Sequence, residues 1–366
     1  MLLYLHIPFC HRICPYCSFY KHTPGSTPIG KFVGALGEEA LQRKGNLPLS
    51  SNPTSIYLGG GTPSMLSSKH LSALFASLHN AFDITEATEI TLEANPATFD
   101  LKKARHFKSL GVTRVSLGIQ SFTSHVLETL GREHSPEQAS DSVKLLREAG
   151  IPSINIDLMF SIPGQSLADW EATLHTAISL KPDHISAYNL TYEEDTAFFD
   201  SLKNGTYSEN EDHDADHYHL AEKLLTSAGF DHYETSNYAQ PGHHSRHNQG
   251  YWQGSDYLGL GPSAVSTIGN IRQKNIPDTA AYIKQVNAIG NAIHETEELT
   301  SAQRRIELIA LGLRTTKGIP IDLLVPESLE RARVLASENL LRIGDTRLHL
   351  TALGRPLVDP IAAELI

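Results

Sequence analysis

The chain has 366 residues, with 30 Lys+Arg against 41 Asp+Glu and a formal net charge of −11. That balance argues against an extended nucleic-acid footprint, which needs a basic face, and no apolar run reaches the ~18 residues of a membrane span. Hydrophobic residues make up 40% of the sequence, enough for a large core. Residues 1–6 lack the charged n-region and the length of a signal peptide, and the few cysteines offer no disulfide framework, so a cytoplasmic location is expected.

Taken in order, strands are predicted at residues 2–7, 55–58, 89–93, 114–119, 153–160 and 184–190, each rich in Val, Ile, Leu or Tyr. Amphipathic stretches at 32–43, 68–81, 101–109, 136–149 and 168–179 fall between them. Alternating strand and helix predicts an α/β fold with a parallel sheet, and six units suit an open, partial (β/α)6 barrel over residues 1–195. The pattern then breaks. Residues 196–295 read as an extension with an acidic, His-rich stretch at 211–219, a Gly/His/Asn loop at 240–254 and a Gly-rich turn at 258–263. Residues 296–366 read as a small winged-helix-like α+β domain, with helices at 302–315 and 327–339 and a hairpin around Gly344-Asp345. Such a domain often binds DNA; the acidic charge favours a packing or partner role here.

The unusual polar residues sit at strand ends. Cys10 follows the first strand, Gly59-Gly60-Gly61-Thr62 the second, and Glu93 and Gln120 close the third and fourth. Asp157 lies on the fifth strand and Tyr188 on the sixth. Barrel active sites are built at this end, so these residues are expected to converge. All three cysteines, Cys10, Cys14 and Cys17, form one C-x3-C-x2-C loop. Thiolates are the usual ligands of iron–sulfur clusters, and a cubane ordinarily takes four. Three would leave one iron open to oxygen and nitrogen of a small molecule. The alternatives are a zinc knuckle short of the four ligands zinc wants, or three clustered buried thiols. The glycine run lets backbone approach a ligand closely, and a tight turn is its plainer reading. The stretch from His213 to His219 invites a metal assignment, but its acidic surroundings favour a solvated helix start.

The runs His6-Ile-Pro-Phe-Cys10, Cys14-Pro-Tyr-Cys17-Ser-Phe19, Gly59-Gly-Gly-Thr-Pro-Ser64 and Glu93-Ala-Asn-Pro96 resemble the oxygen-independent coproporphyrinogen III oxidase-like radical S-adenosylmethionine (SAM) family. So do Ser116-Leu-Gly-Ile-Gln-Ser-Phe122, Gly131-Arg-Glu-His134 and Asn155-Ile-Asp-Leu158, so the likeness spans nearly the whole chain. It implies that Cys10, Cys14 and Cys17 bind a [4Fe–4S] cluster whose open iron is capped by the amino and carboxylate groups of SAM. By the same resemblance Gly60, Gly61 and Thr62 take the methionine end, Glu93, Gln120, Arg132 and Asp157 complete the pocket, and Tyr4 also touches SAM. The chemistry suits these roles: Arg132 offers a carboxylate a bidentate fork, Gln120 and Asp157 can accept from ribose hydroxyls, and Glu93 suits ribose or a cation.

Two features select a branch. Phe19 stands where the true oxidases carry a fourth cysteine, and His247-Asn-Gln-Gly-Tyr251-Trp252 matches the H-N-x-x-Y-W motif of the HemW-type heme chaperone branch. That branch implies heme as a further cofactor, with His247 as axial ligand, Tyr251 and Trp252 as flat apolar faces, and His243 and His244 as competing ligands. An ordinary loop histidine is the plainer reading of His247. The partners implied are a heme-accepting protein, membrane-bound acceptors met peripherally among them, and a flavodoxin- or ferredoxin-like electron donor. SAM turnover stays open, and the alternative function is oxidative decarboxylation of coproporphyrinogen III.

Overall fold

A computed structural model describes residues 1–47 and 52–366. Strand β1 (Leu2–Ile7) buries Leu3, Leu5 and Ile7 on one face and turns Tyr4 and His6 to the other, the period-two pattern of a pleated strand. Beside it run β2 (Ser55–Gly60), β3 (Glu89–Ala94), β4 (Arg114–Gln120), β5 (Ser153–Phe160) and β6 (His184–Asn189), all parallel and in chain order. The crossovers carry α1 (Ile29–Gly45), α2 (Ser68–Ala81), α3 (Leu101–Ser109), α4 (Ser124–Thr129), α5 (Pro136–Glu148) and α6 (Leu167–Ser179). Reciprocal capping boxes, Ser135 with Gln138 and Ser166 with Asp169, start α5 and α6. Phe32, Leu36, Leu71, Leu74, Phe107, Leu146 and Trp170 pack from the helices onto the strands as one core. This is the expected partial α/β barrel.

The sheet does not stop at six strands. After α7 (Ala197–Lys203) and α8 (Glu211–Ser227), β7 (Asp231–Glu234) and β8 (Asn237–Ala239) extend it antiparallel beyond β6. Then α9 (Arg246–Trp252) leads to β9 (Tyr257–Leu260), which lies parallel to β1 on the opposite edge. Strands β10 (Val265–Ile268) and β11 (Ile271–Asn275), helix α10 (Thr279–Ile289) and β12 (Ile293–Glu298) follow, giving a 12-stranded sheet. The Gly-rich turn expected at 258–263 is thus partly a strand. The sheet crosses residue 195, and we keep the division at residues 195 and 295 as a proposal about folding units. One buried carboxyl fastens the β9–α10 segment to the barrel: Glu39 of α1 accepts from Gly261 N (2.9 Å), Asn275 Nδ2 (2.7 Å) and Tyr282 Oη (2.7 Å).

The His-rich stretch forms the start of α8, where Glu211, Asp212 and Asp214 complement the helix dipole. Its face is not all solvated: His217 is buried, with Nδ1 2.8 Å from the His213 carbonyl. Among the described residues no three metal-binding side chains are gathered as for a single ion, and no helix is long and apolar enough to cross a membrane.

The C-terminal part comprises α11 (Ser301–Gly312), β13 (Ile319–Pro320), α12 (Pro326–Ser337), β14 (Leu341–Ile343), β15 (Arg347–Leu350) and α13 (Val358–Leu365). Its three strands form a separate sheet over their own core of Ile309, Leu313, Leu341, Leu348 and Ile361. The hairpin at Gly344-Asp345 is present, joining β14 to β15. This part docks on β7: Thr235 N donates to Arg314 O (2.8 Å), Thr316 N to Tyr233 O (3.2 Å), and Arg355 pairs with Glu222.

At that junction Glu234 is buried and accepts from Ser236 N (3.2 Å) and the Asn237 amide. Burial pushes its carboxyl up to about 8, against smaller opposing effects of Ser236 N–H, Trp252 and Arg314. The folded protein therefore holds a proton that the unfolded chain releases near pH 4.5. The stability this contributes is complete below that pH and is lost as pH rises through about 8. The unfolding free energy from urea titrations is expected to fall less between pH 5 and pH 8 for Glu234→Gln than for wild type, a difference on the order of 3 kcal/mol.

Candidate cofactor site

The loop after β1 carries the cysteines across the mouth of the barrel. Cys10 N donates to His22 O (3.1 Å) and His22 N to Pro8 O (2.9 Å), closing the loop at its base. Its far side rests on the extension, with Phe198 N donating to Pro15 O (3.2 Å) and the Tyr16 and Phe198 rings 6.0 Å apart. The thiols are unpaired by disulfides. Burial pushes Cys10 and Cys17 up from the usual thiol range, with Thr62 opposing this at Cys10 and Lys21 at Cys17.

The glycine turn makes this loop possible by letting it come close. A Cβ on Gly61 would lie 2.7 Å from the carbonyl oxygens of Ile7 and Phe9, and Gly60 has φ +103° with His6 beneath it. The N–H groups of Gly61 and Thr62 are spent on those same two carbonyls, at 2.8 Å each. What the turn leaves for a ligand is carbonyl oxygen, the acceptor an ammonium group needs.

Thr62 begins an arc of side chains that joins two cysteines. Its Oγ1 lies 3.8 Å from Cys10 Sγ and accepts from Asn95 Nδ2 (3.0 Å). Asn95 Oδ1 accepts from Arg132 Nη2 (2.7 Å), and Arg132 Nη1 reaches Cys14 Sγ at 3.6 Å. Arg132 is further fixed by the Gly118 carbonyl (2.6 Å), while its Nε is buried without a partner. Sequence reasoning quoted Asn95 in a motif but gave it no role; its position between Thr62 and Arg132 emerges only in three dimensions.

Below the arc, the barrel interior is polar. Glu93 accepts from Tyr57 Oη (2.8 Å) and Gly60 N (3.1 Å), and burial, with Asp157 nearby, pushes its carboxyl up to about 7. Asp157 accepts from Ser116 Oγ (3.0 Å) and Asn155 Nδ2 (2.7 Å), and burial raises it too. Gln120 ends β4 at φ +69°, beside a register shift in the β4–β5 pairing. That strained turn is costly for a residue with a Cβ and re-aims the chain at the site. Tyr4 faces inward, its hydroxyl 3.0 Å from His6 Nδ1, and its ring lies 6.2 Å from that of Tyr57. Tyr188 is 39% exposed at the end of β6.

His247 lies elsewhere. The expected loop is helix α9, which closes the N-terminal end of the barrel: Glu89 accepts from the backbone N–H groups of Arg246 and His247, both at 3.0 Å. The His247 ring turns into the barrel, 2.9 Å from Ser55 Oγ through Nδ1 and 4.9 Å from the Tyr57 ring, and its Nε2 is buried without a partner. Burial pulls it down to about 3, so it is neutral. The structure therefore brings Cys10, Cys14, Thr62 and Arg132 together, sets Glu93 and Asp157 beneath them, and keeps His247 at the opposite end.

Residues 4–177 match the model of the Radical SAM superfamily. The heme chaperone HemW of Bacillus subtilis is 32% identical over 98% of this chain and 97% of its own length. The belonging is decided by that full-length match. The chain is a member of the HemW family of radical SAM proteins. The HemW of Escherichia coli is 38% identical over 73% of this chain and 70% of that protein. Among solved structures, the E. coli coproporphyrinogen III oxidase HemN, described as a radical SAM enzyme, superposes with a TM-score of 0.87 at 26% identity, covering 100% of this chain and 89% of that one.

A [4Fe–4S] cluster and SAM are the cofactors of this superfamily, and the donor set here fits them. Three soft sulfurs come from one loop, the thiolate donors an iron–sulfur cluster uses, and they fall one short of the four ligands of a structural zinc site. The unpartnered Nε of Arg132 and the raised carboxyls of Glu93 and Asp157 await a ligand carrying both signs of charge. In this HemW-family chain, Asp157→Ala is expected to weaken SAM binding about tenfold or more, measured by equilibrium dialysis, with iron and sulfide content unchanged. Equal SAM affinity in wild type and variant would remove Asp157 from the pocket.

Proposed function

We propose that this protein is a heme chaperone that binds a [4Fe–4S] cluster, SAM and heme and passes heme to an acceptor protein. The observation that carries the reading is the full-length similarity to proteins named heme chaperones, joined to the His-Asn-Gln-Gly-Tyr-Trp helix that floors the barrel. When bound, cluster and SAM supply one-electron radical chemistry; the protein's part is to hold the three sulfurs, orient the ligand's charged ends through Arg132 and the glycine turn, and shield the chamber. A flavodoxin- or ferredoxin-like donor would dock at the cluster loop, where Ile13 and Phe19 stand 50% and 67% exposed. Thiolate ligation suits a reducing compartment, so we place the protein in the cytoplasm, reaching membrane-bound acceptors only peripherally.

The second reading, coproporphyrinogen III decarboxylation, draws on the superposition with HemN. Phe19 speaks against it, because a large exposed phenyl ring occupies the position at which those oxidases carry a further sulfur. The expected result is that anaerobically reconstituted protein binds hemin at one per chain and leaves coproporphyrinogen III unchanged. Conversion of coproporphyrinogen III without a stable hemin complex would transfer the assignment to the oxidase.

A further inference from the structure

A sizeable cavity lies outside the cofactor chamber. It has a volume of about 620 Å³ and opens between the floor of the barrel and the C-terminal part, bounded by β7 and α9 on one side and α11 and β13 on the other. That size falls within the ~300–1,000 Å³ range of small-molecule sites. Resting on the heme reading above, we propose that this cavity is the heme pocket, with His244, not His247, as the axial ligand to iron.

Three features of the walls point to an iron porphyrin. The first is a broad apolar and aromatic surface: Trp252, the last residue of the motif helix, faces Leu308 and Ile319 across the cavity. The second is charge. Lys317 and Arg347 both line the cavity, and among the described residues neither has a carboxylate within ion-pair distance. Arg347 is held in place by the carbonyls of Lys317 (2.8 Å) and Gly318 (2.6 Å). Two cations on one wall, in a chain of net charge −11, match the two propionates of heme.

The third feature is the imidazole. His244 lines the cavity and stacks flat on Tyr233, with ring centroids 4.2 Å apart and 16° between planes. Its Nε2 makes no hydrogen bond, with Asp231 Oδ2 3.5 Å away, and its Nδ1 lies 3.4 Å from Gln249 Nε2. An imidazole with a carboxylate beside one ring nitrogen is a normal axial ligand environment, the other nitrogen being left for iron. His247, by contrast, is enclosed between Ser55, Tyr57 and Tyr251, and iron would reach its Nε2 only by opening the barrel floor. The motif helix thus divides its work. His247 and Tyr251 build the floor, while Gln249 and Trp252 face the ligand.

The test is a hemin titration of the anaerobically reconstituted full-length protein, followed by the Soret band, on wild type, His244→Ala, Leu308→Trp and Lys317→Glu. Cluster absorbance and SAM binding serve as controls for folding. The expected results are a shifted Soret maximum for His244→Ala, at least a tenfold loss of hemin affinity for Leu308→Trp, which fills the cavity, and a severalfold loss for Lys317→Glu on its exposed side chain. If wild type binds no hemin, the chaperone reading itself fails. If wild type binds and Leu308→Trp and Lys317→Glu bind equally well, heme lies elsewhere and this assignment alone is overturned. A Soret shift in His247→Ala with none in His244→Ala returns the ligand to His247.

Discussion

The mouth of the barrel depends on one close approach, that of the glycine turn after β2 to the loop after β1. Only glycine fits at Gly61, where a side chain would strike the carbonyls of Ile7 and Phe9. Those carbonyls fix Thr62, and Thr62 starts the arc through Asn95 and Arg132 that ends at Cys14. A hydrogen-bonded arc of this kind sets the positions of two of the three sulfurs. A [4Fe–4S] cluster held by the three cysteines would keep one iron for SAM.

Beneath the mouth, the interior is a polar column. Asp157 is linked through Asn155 to His184, and His184 Nε2 lies 2.8 Å from Tyr233 Oη, which borders the cavity at the barrel floor. Burial holds His184 neutral, with Arg114 adding to the effect. Buried polar groups are tolerated where they find partners; among those without one are Arg132 Nε at the upper end of the column and His247 Nε2 at the lower. Raised carboxyls at Glu93 and Asp157 are the expected cost of a chamber shaped for a cationic ligand.

Strands β1 to β6 were legible in the sequence because each is a hydrophobic run bounded by a helix and buried on a common core. The flanking strands were not. Strand β12 reads Ile-His-Glu-Thr-Glu-Glu and is almost wholly exposed, so pairing at a sheet edge, and not burial, sets its conformation. Helix α9 was hidden by Gly250, a residue that reads as a breaker; in the fold it packs against the Leu2 side chain, which a Cβ 2.6 Å away would have to displace. The cofactor residues were legible through spacing within motifs. The roles of Asn95 and Tyr57 were not, because both act across strands, and neither was the cavity, whose walls come from residues 233 to 347.

The most direct test of the account is electron paramagnetic resonance of the reduced, anaerobically reconstituted protein with and without SAM, alongside iron and zinc analysis. It predicts about four irons per chain, a cluster signal that SAM perturbs, and loss of that signal on replacing Cys10, Cys14 or Cys17 with Ala. A protein that is active with one zinc and no iron, or a cluster signal indifferent to SAM, would contradict it.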